Sequence, residues 1–197
     1  MHSTDAIFEC SVDEVLERTA AHTAEFGAGP HAALSAACAA ALVTMAARFA
    51  DWDGARVGEL TAARQRLREL ADADGPAFEP LLEAWQLPPD APDREERIVR
   101  AARSACAVPV EVCRIGTRLA QVAGELFEGG KPDLAGDAAT ALYLADAAVA
   151  SGAHTVRLNA GPADDPKAPE LIEETRELAA RTGTLAAAVR AADRRPS

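Results

Sequence analysis

The stretch GKPDLAGDAATALYLADAAVASGAHTVRLN, from Gly130 to Asn159, decides the fold. A loop with glycine, lysine and proline opens it, and an alanine-rich run of helix-forming residues follows. Small residues recur every three or four positions, so one face of the helix is narrow enough for another helix to approach closely. Asp133, beside Pro132, is a good N-cap residue. The pattern predicts a long, closely packed helix.

Asp137 lies one turn into this predicted helix. The dipole and the free N–H groups at a helix N-terminus favour the ionised form of a carboxylate placed there. Two interpretations stay open at this point: Asp137 is an additional capping charge, or it is a functional carboxylate.

The composition predicts an all-α protein. The 197 residues are enough for one domain with a sizeable core, and we treat 1–197 as a single domain. The hydrophobic fraction is 49%, but much of it is alanine and aromatic residues are only 4%. Abundant Ala, Leu, Glu and Arg favour helix over strand. Because so few bulky residues give a thin core, we expect an up-and-down bundle of long helices that is completed in a two-fold dimer.

Charge and cysteine content narrow the class of partner and compartment. The net charge of −11 argues against nucleic acid and against an anionic membrane as partners. The four cysteines have no metal-binding spacing with the four histidines, so we expect no metal, and reduced core thiols in a cytoplasmic protein. The N-terminus lacks the pattern of a signal peptide. The apolar run 32–50 is mostly alanine and is predicted to be a buried core helix.

Capping residues, glycines and prolines define the boundaries of the other predicted helices. Ser11 to Glu14 form a capping box that opens a helix to about residue 25. Further helices are predicted over 31–50, 53–74, 76–85 and from 93 to about 127, the last with Pro109 inside it. A linker over 161–168 leads to a helix over 169–193, in which Leu171, Leu178, Leu185 and Val189 suggest packing along another helix.

Two further features are candidates for binding. Gly27, Ala28, Gly29 and Pro30 form a turn before a helix, which is either a plain turn or a place where free N–H groups bind a polar ligand. The helix around Pro109 carries one basic stripe, which is either a salt-bridged surface or a dock for carboxylates. The stripe consists of Arg100, Arg103, Arg114 and Arg118.

These motifs together resemble the formiminotetrahydrofolate cyclodeaminase / methenyltetrahydrofolate cyclohydrolase family. The family pattern G-N-x-x-x-x-S-D, a small-residue helix and then N-V-x-x-N is matched at Gly130, Asp137, Val156 and Asn159. Its P-G-G-G-S turn aligns with residues 26–30, its D-x-x-A-F with 74–78 and its A-x-x-V-P with 105–109. Four polar positions of the family pattern are replaced in this chain, by Pro30, Lys131, Gly136 and Thr155.

The resemblance implies an all-helical, dimeric enzyme that acts on a tetrahydrofolate derivative as substrate. In both family reactions an electron-poor amidine-type carbon is attacked, and a carboxylate can stabilise the cation and accept a proton. Asp137 is our first candidate for that role and Asp74 the second, although Asp74 is equally well explained as the cap of a helix from Pro76. The candidates for substrate binding are Gly27, Gly29, Lys131, Asn159, Arg157, Arg100 and Arg103.

Spacing constrains this scheme. Asp137 and Asn159 are 22 residues apart, which is ~33 Å along one unbroken helix. They contact one ligand only if the helix breaks at Ser151-Gly152 or if a symmetry mate supplies one of them, so we expect a site at a dimer interface.

The four replaced positions keep a second hypothesis open. Buried polar groups of a ligand that stay unpaired lose ~1–3 kcal/mol each, so folate binding would weaken severely. The scaffold is then retuned for another small molecule, or it is a non-catalytic helical dimer.

Overall fold

A computed structural model describes residues 6–22 and 26–192 of the chain. Within those ranges every regular element is helical, as the composition predicts. Short 3-10 turns lie at Ile7–Glu9 and Pro132–Leu134. The six helices are α1 (Val12–Ala20), α2 (Ala28–Phe49), α3 (Gly54–Gln86), α4 (Arg94–Gly129), α5 (Ala135–Ala160) and α6 (Ala168–Ala192).

Successive long helices run in opposite directions. Arg56, near the start of α3, bonds Glu125 near the end of α4 at 2.8 Å. The thiol of Cys113 on α4 donates to the carbonyl of Val149 on α5 at 3.4 Å. The fold is therefore the predicted up-and-down bundle.

Helix α6 packs along α4 and α5, but its leucines are not the buried seam that their spacing suggests. Of the predicted seam Val189 is buried, together with Ala168, Thr175, Thr182 and Ala186. Leu171, Leu178 and Leu185 lie half-buried beside them. Thr182, one of the buried positions, donates to Asp146 on α5 at 2.8 Å. Threonines allow α6 to approach α5 closely, because they are small and their hydroxyl groups find partners inside the interface.

Helix α2 is the core helix that the alanine-rich run predicts. Most of its buried residues are alanine, so α3, α4 and α5 can all pack against it. Within the described ranges α2 is also the one helix long and apolar enough to cross a membrane by length and composition. Because 56% of that apolar window is buried inside the bundle, burial among the other helices accounts for its hydropathy.

Helix α3 is continuous where the sequence predicted a break. Pro76 and Pro80 both lie inside it, and Gly75 does not end it. Apolar residues on either side of this segment are buried in the bundle, among them Leu70 and Leu81, and that packing outweighs the hydrogen bonds that the prolines remove. The interpretation of Asp74 as the cap of a helix from Pro76 is therefore wrong.

Other boundaries differ by a few residues. The capping box is confirmed, because the Ser11 hydroxyl accepts from the Glu14 N–H at 3.2 Å. Asp133 lies in the 3-10 turn and makes no side-chain cap. The last helix begins at Ala168, one residue early, and its predicted end at 193 lies outside the described residues, as do residues 23–25 of the first predicted helix.

Pro109 leaves one carbonyl of α4 without its helical donor, and α5 replaces that donor. A proline has no N–H, so the carbonyl of Ala105, four residues earlier, cannot bond within the helix. The side-chain amide of Asn159 donates to that carbonyl at 3.2 Å and is buried. Gly152 lets the two helices approach here, since a Cβ at this position would lie 2.7 Å from the Cys113 sulfur. Asn159 therefore holds α5 to the kink of α4.

We predict that Asn159→Ala lowers the free energy of unfolding by ~1–3 kcal/mol, because it leaves the Ala105 carbonyl buried and unpaired. Adding Pro109→Ala to that variant returns an N–H to position 109 and should recover part of the loss. Urea unfolding of the two single variants and the double variant measures the coupling. Strictly additive effects would contradict this account of the pair.

Candidate functional site

The turn before α2 and the middle of α3 meet at Gly29 and Asp74. Gly27 is the N-cap of α2 and contributes no side-chain cap, and Gly29 is buried in the first turn. A Cβ built on Gly29 would overlap the carboxyl group of Asp74. Glycine is therefore required at position 29 by close approach, and two independently predicted site features lie in direct contact.

The environment of Asp74 suits proton transfer. Its side chain is half-buried, and burial raises the pKa of its carboxyl group above the ordinary value. Within the described ranges no hydrogen bond or ion pair joins this carboxyl group to another residue. A carboxyl with a raised pKa and no protein partner can hold or release a proton nearer neutrality, as a general acid or base must.

The first turn of α2 presents the backbone groups beside this carboxyl. The first N–H groups of a helix have no partner inside the helix and point outward. Pro30 occupies a position where an N–H is free in any case, so the helix tolerates it without losing a bond. A ligand, however, meets neither the hydroxyl nor the N–H that a serine would offer there.

Sequence reasoning missed His31. Its Nδ1 lies 3.0 Å from the carbonyl oxygen of Gly27, and its Nε2 lies 3.2 Å from the hydroxyl of Thr19 on α1. His31 therefore joins the short helix α1 to the glycine turn. No motif marks it, because a single histidine after a turn has no distinctive spacing.

Asp137 is half-buried in the first turn of α5, as predicted, but it lies at the other end of the bundle from Asp74. Asp74 is 18 residues along α3 from Arg56, or ~27 Å. Arg56 bonds the end of α4, and α5 begins directly after that end. One chain therefore does not bring the two carboxylates together. Since α5 is unbroken through Ser151-Gly152, a second subunit is the remaining route to a shared site.

Asn159 and Arg103 are both occupied by structural contacts. Asn159 holds the Ala105 carbonyl, as described above. Arg103 makes two hydrogen bonds to Asp165, at 2.7 and 2.8 Å, and thereby fixes the linker between α5 and α6. The Arg103 guanidinium and the Lys167 backbone N–H lower the pKa of Asp165 to about 2. Both side chains therefore hold neighbouring segments of the bundle together.

The other basic candidates lie on the surface. Arg100 lies 3.7 Å from Glu96 and lines an open groove of about 460 Å³ between α3 and α4. Arg157 contacts His154 on its own helix, and Lys131 is exposed before the 3-10 turn. Arg114 pairs with Glu174 at 2.6 Å. The basic stripe of α4 is thus largely a salt-bridged surface.

A second open groove, of about 410 Å³, lies between α2 and α3 and contains neither predicted carboxylate. Its lining residues are Ala41, Thr44, Met45, Arg48, Phe49 and Arg64.

The two buried thiols, of Cys106 and Cys113, make contacts within the helix bundle. Cys106 and Cys113 share a face of α4, as predicted, and donate to carbonyls of α5. Burial raises the pKa of Cys106 to about 11 and that of Cys113 to about 12, so both stay protonated at neutral pH. Cys38 is exposed on α2 and is not a core thiol. The described part of the chain contains no cluster of three or more His, Cys, Asp or Glu that could hold a metal ion.

Comparison with known families agrees with this arrangement of helices and motifs. The family model described as formiminotransferase-cyclodeaminase matches residues 11–178, which include the glycine turn, Asp74 and all of α5. The chain belongs to the formiminotransferase-cyclodeaminase family. The contacts of Gly29 with Asp74 and of Asn159 with Ala105 both fall inside the matched segment of this family member.

Two relatives cover nearly the whole chain. The methenyltetrahydrofolate cyclohydrolase of Methylorubrum extorquens is 28% identical over 190 residues, which are 89% of this chain and 91% of that protein. The crystal structure of formiminotetrahydrofolate cyclodeaminase from Thermotoga maritima superposes with a TM-score of 0.81 at 25% identity, over 93% of this chain and 95% of that one. This family member therefore shares the cyclodeaminase fold.

We predict that Gly29→Ala destabilises the protein and that adding Asp74→Ala relieves the effect, because the new methyl group overlaps the Asp74 carboxyl. Gly58→Ala is the matched control. It lies inside α3, nothing stands within 4 Å of its Cβ position, and it should stabilise the helix by ~0.5–1 kcal/mol. Thermal unfolding compares the variants. Equal behaviour of Gly29→Ala and Gly58→Ala would contradict the contact.

Proposed function

We propose that this protein is a folate one-carbon enzyme that acts as a methenyltetrahydrofolate cyclohydrolase or as a formiminotetrahydrofolate cyclodeaminase. Family membership and the two relatives support the substrate class. The observation that carries the proposal is the Asp74 carboxyl, raised in pKa by burial and set against the glycine turn of α2. We therefore place Asp74 ahead of Asp137 as the proton-transferring group.

In the cyclohydrolase direction, a water molecule adds to the methenyl carbon, which carries the positive charge between N5 and N10 of the folate. The Asp74 carboxylate takes a proton from that water as the C–O bond forms. The bond from the carbon to N5 then breaks, and N5 receives the proton that Asp74 holds. The added hydroxyl group releases its remaining proton to solvent and becomes the carbonyl of the formyl group, which stays on N10. A carboxylate in a partly dry site also stabilises the cation that is attacked.

In the cyclodeaminase direction, N10 attacks the formimino carbon that is attached to N5. The terminal nitrogen receives the proton lost by N10 and one further proton, its bond to the carbon breaks, and it leaves as ammonia while the methenyl cation forms. A carboxyl whose pKa is raised is suited to deliver that proton, because it holds the proton at a higher pH than an exposed aspartate does. The same group thus serves both reactions with opposite proton transfers.

We further propose a homodimer in which Asp137 of one subunit completes the site around Asp74 of the other. Asp137 is half-buried at the positive end of α5 and bonds no other residue within the described ranges. Within one subunit, the two carboxylates lie far apart along the axis of the helix bundle. A two-fold axis across the bundle that reverses one copy relative to the other would place unlike ends together.

The four replaced motif positions favour a second candidate function. Proline at 30, lysine at 131, glycine at 136 and threonine at 155 remove polar groups that a pterin ring would use. The alternative is the same scaffold with a pocket retuned for another small cationic amidine, or a helical dimer without catalysis. Activity and ligand-induced stabilisation separate these cases.

We predict that Asp74→Asn lowers the rate of methenyltetrahydrofolate hydrolysis by at least about 100-fold, because the amide cannot accept a proton. Asp72→Asn is the control, since Asp72 is exposed two residues away on the same helix. The loss of near-UV absorbance of the methenyl compound measures the rate. Wild-type protein that neither accelerates the reaction nor is stabilised by tetrahydrofolate would remove the folate assignment.

We predict that Asp74→Asn and Asp137→Asn chains, each inactive alone, recover about a quarter of wild-type activity after unfolding and refolding together. Half of the dimers would then be mixed, and each mixed dimer has one intact site out of two. Refolding each variant alone is the control. Mixed chains that stay inactive, or an active Asp137→Asn variant, would contradict a site shared in this way.

A further inference from the structure

Helix α3 extends well past the start of α2. It has 33 residues and α2 has 22, and the two meet at Gly29 and Asp74. Beyond Asp74, α3 continues for 12 residues to Gln86, which is ~18 Å. No part of α2 covers this segment, because α2 begins beside Asp74. The continuity of α3 through Pro76 and Pro80 is what creates the extension.

The segment of α3 beyond Asp74 keeps exposed apolar surface close to Asp74. Phe78 and Leu82 follow Asp74 at spacings of four and eight residues, so they lie roughly 40° and 80° round the helix from it. Leu82 is 39% exposed, and Phe78 is half-buried. Leu81 and Ala84 are buried in a cluster with α4, and Phe78 and Trp85 pack against that cluster. Packing against α4 thus covers part of the Phe78 ring and leaves the rest of the ring and Leu82 exposed.

The Phe78 ring is held in place by Trp85. The two ring centroids are 6.0 Å apart at an interplanar angle of 79°, an edge-to-face contact. Helical side chains tilt toward the N-terminus of their helix, and Asp74 lies one turn from Phe78 in that direction. A fixed aromatic ring, an exposed leucine and a partly dry carboxyl therefore follow one another along the helix.

We propose that Phe78 and Leu82 form the wall on which the flat bicyclic ring of the substrate lies, with its reacting edge turned toward Asp74. This inference rests on the proposed function and names the residues that bind the ring. A planar heteroaromatic ring gains most from an aromatic side chain whose position is already fixed. The polar edge of the ring then meets the N–H groups at the start of α2, and the one-carbon unit meets the carboxyl.

Kinetics of wall variants give the first test. Phe78→Ala should raise KM for methenyltetrahydrofolate by about tenfold or more while kcat changes little, because the wall binds the ring and takes no proton. Phe78→Leu keeps an apolar side chain of similar bulk, so its KM should lie between those of the wild type and of Phe78→Ala. Phe49→Ala is the matched control: Phe49 is 57% exposed at the other end of α2. Circular dichroism melting identifies any variant that fails to fold.

Fluorescence gives a readout that needs no turnover. The chain has two tryptophans, and Trp52 lies far from the wall with Arg56 stacked on its ring at 3.5 Å. In a Trp52→Phe protein only Trp85 emits, so tetrahydrofolate bound on the wall should change its emission with a saturable dependence. Adding Phe78→Ala should weaken that binding by a similar factor.

The outcomes separate the wall from the reaction. If the wild-type protein turns over the substrate but Phe78→Ala has an unchanged KM, the proposed wall is wrong and the proposed function stands. The same holds if the wild-type protein is active and the emission of Trp85 does not change at saturating tetrahydrofolate. A Trp85 response that Phe78→Ala abolishes, without turnover, supports the wall and overturns the reaction. Neither turnover nor any Trp85 response overturns both.

Discussion

The close contact between Gly29 and Asp74 is the constraint on which the account depends. A carboxyl group occupies the space of a side chain at the start of α2, so α2 and α3 approach there only because position 29 is glycine. The contact removes part of the water from the carboxyl and leaves it without a protein partner in the described structure. Two effects then compete. The positive end of α2 favours the ionised form by ~0.3–1 kcal/mol, whereas loss of water favours the neutral form and raises the pKa of Asp74.

A second contact shows that a motif residue can serve the architecture alone. Pro109 interrupts the bonding of α4, and Asn159, from another part of the family pattern, supplies the missing donor across the helix pair. Gly152 makes room for the same approach. This bond gives Asn159 a role in helix packing whatever ligand the protein binds. The role of Asn159 in substrate binding stays a prediction.

The fold was largely predictable, because it follows from local signals. Alanine-rich amphipathic runs, the Ser11 capping box and the prolines near helix ends gave the all-α class and most boundaries. The break at Gly75-Pro76 was wrong, since tertiary burial of α3 on both sides of the prolines overrides the local preference of Pro. Gly29 and Asp74 were predicted as site residues because their motifs occur in the same order as in the family. Their contact was not predictable, because it depends on how α2 and α3 are aligned along their axes. The ion pair of Arg103 with Asp165 and the contacts of His31 join residues far apart or without a motif, so no local pattern could reveal them.

The most direct test of the central claim is the pKa of Asp74 itself, measured by following its carboxyl carbon by NMR through a pH titration of the wild-type protein. We predict a pKa clearly above the value of about 3.9 for an unperturbed aspartate. An Asp74 that titrates at or below that value would contradict the prediction, because the carboxyl would then be solvated or paired and not poised to carry a proton.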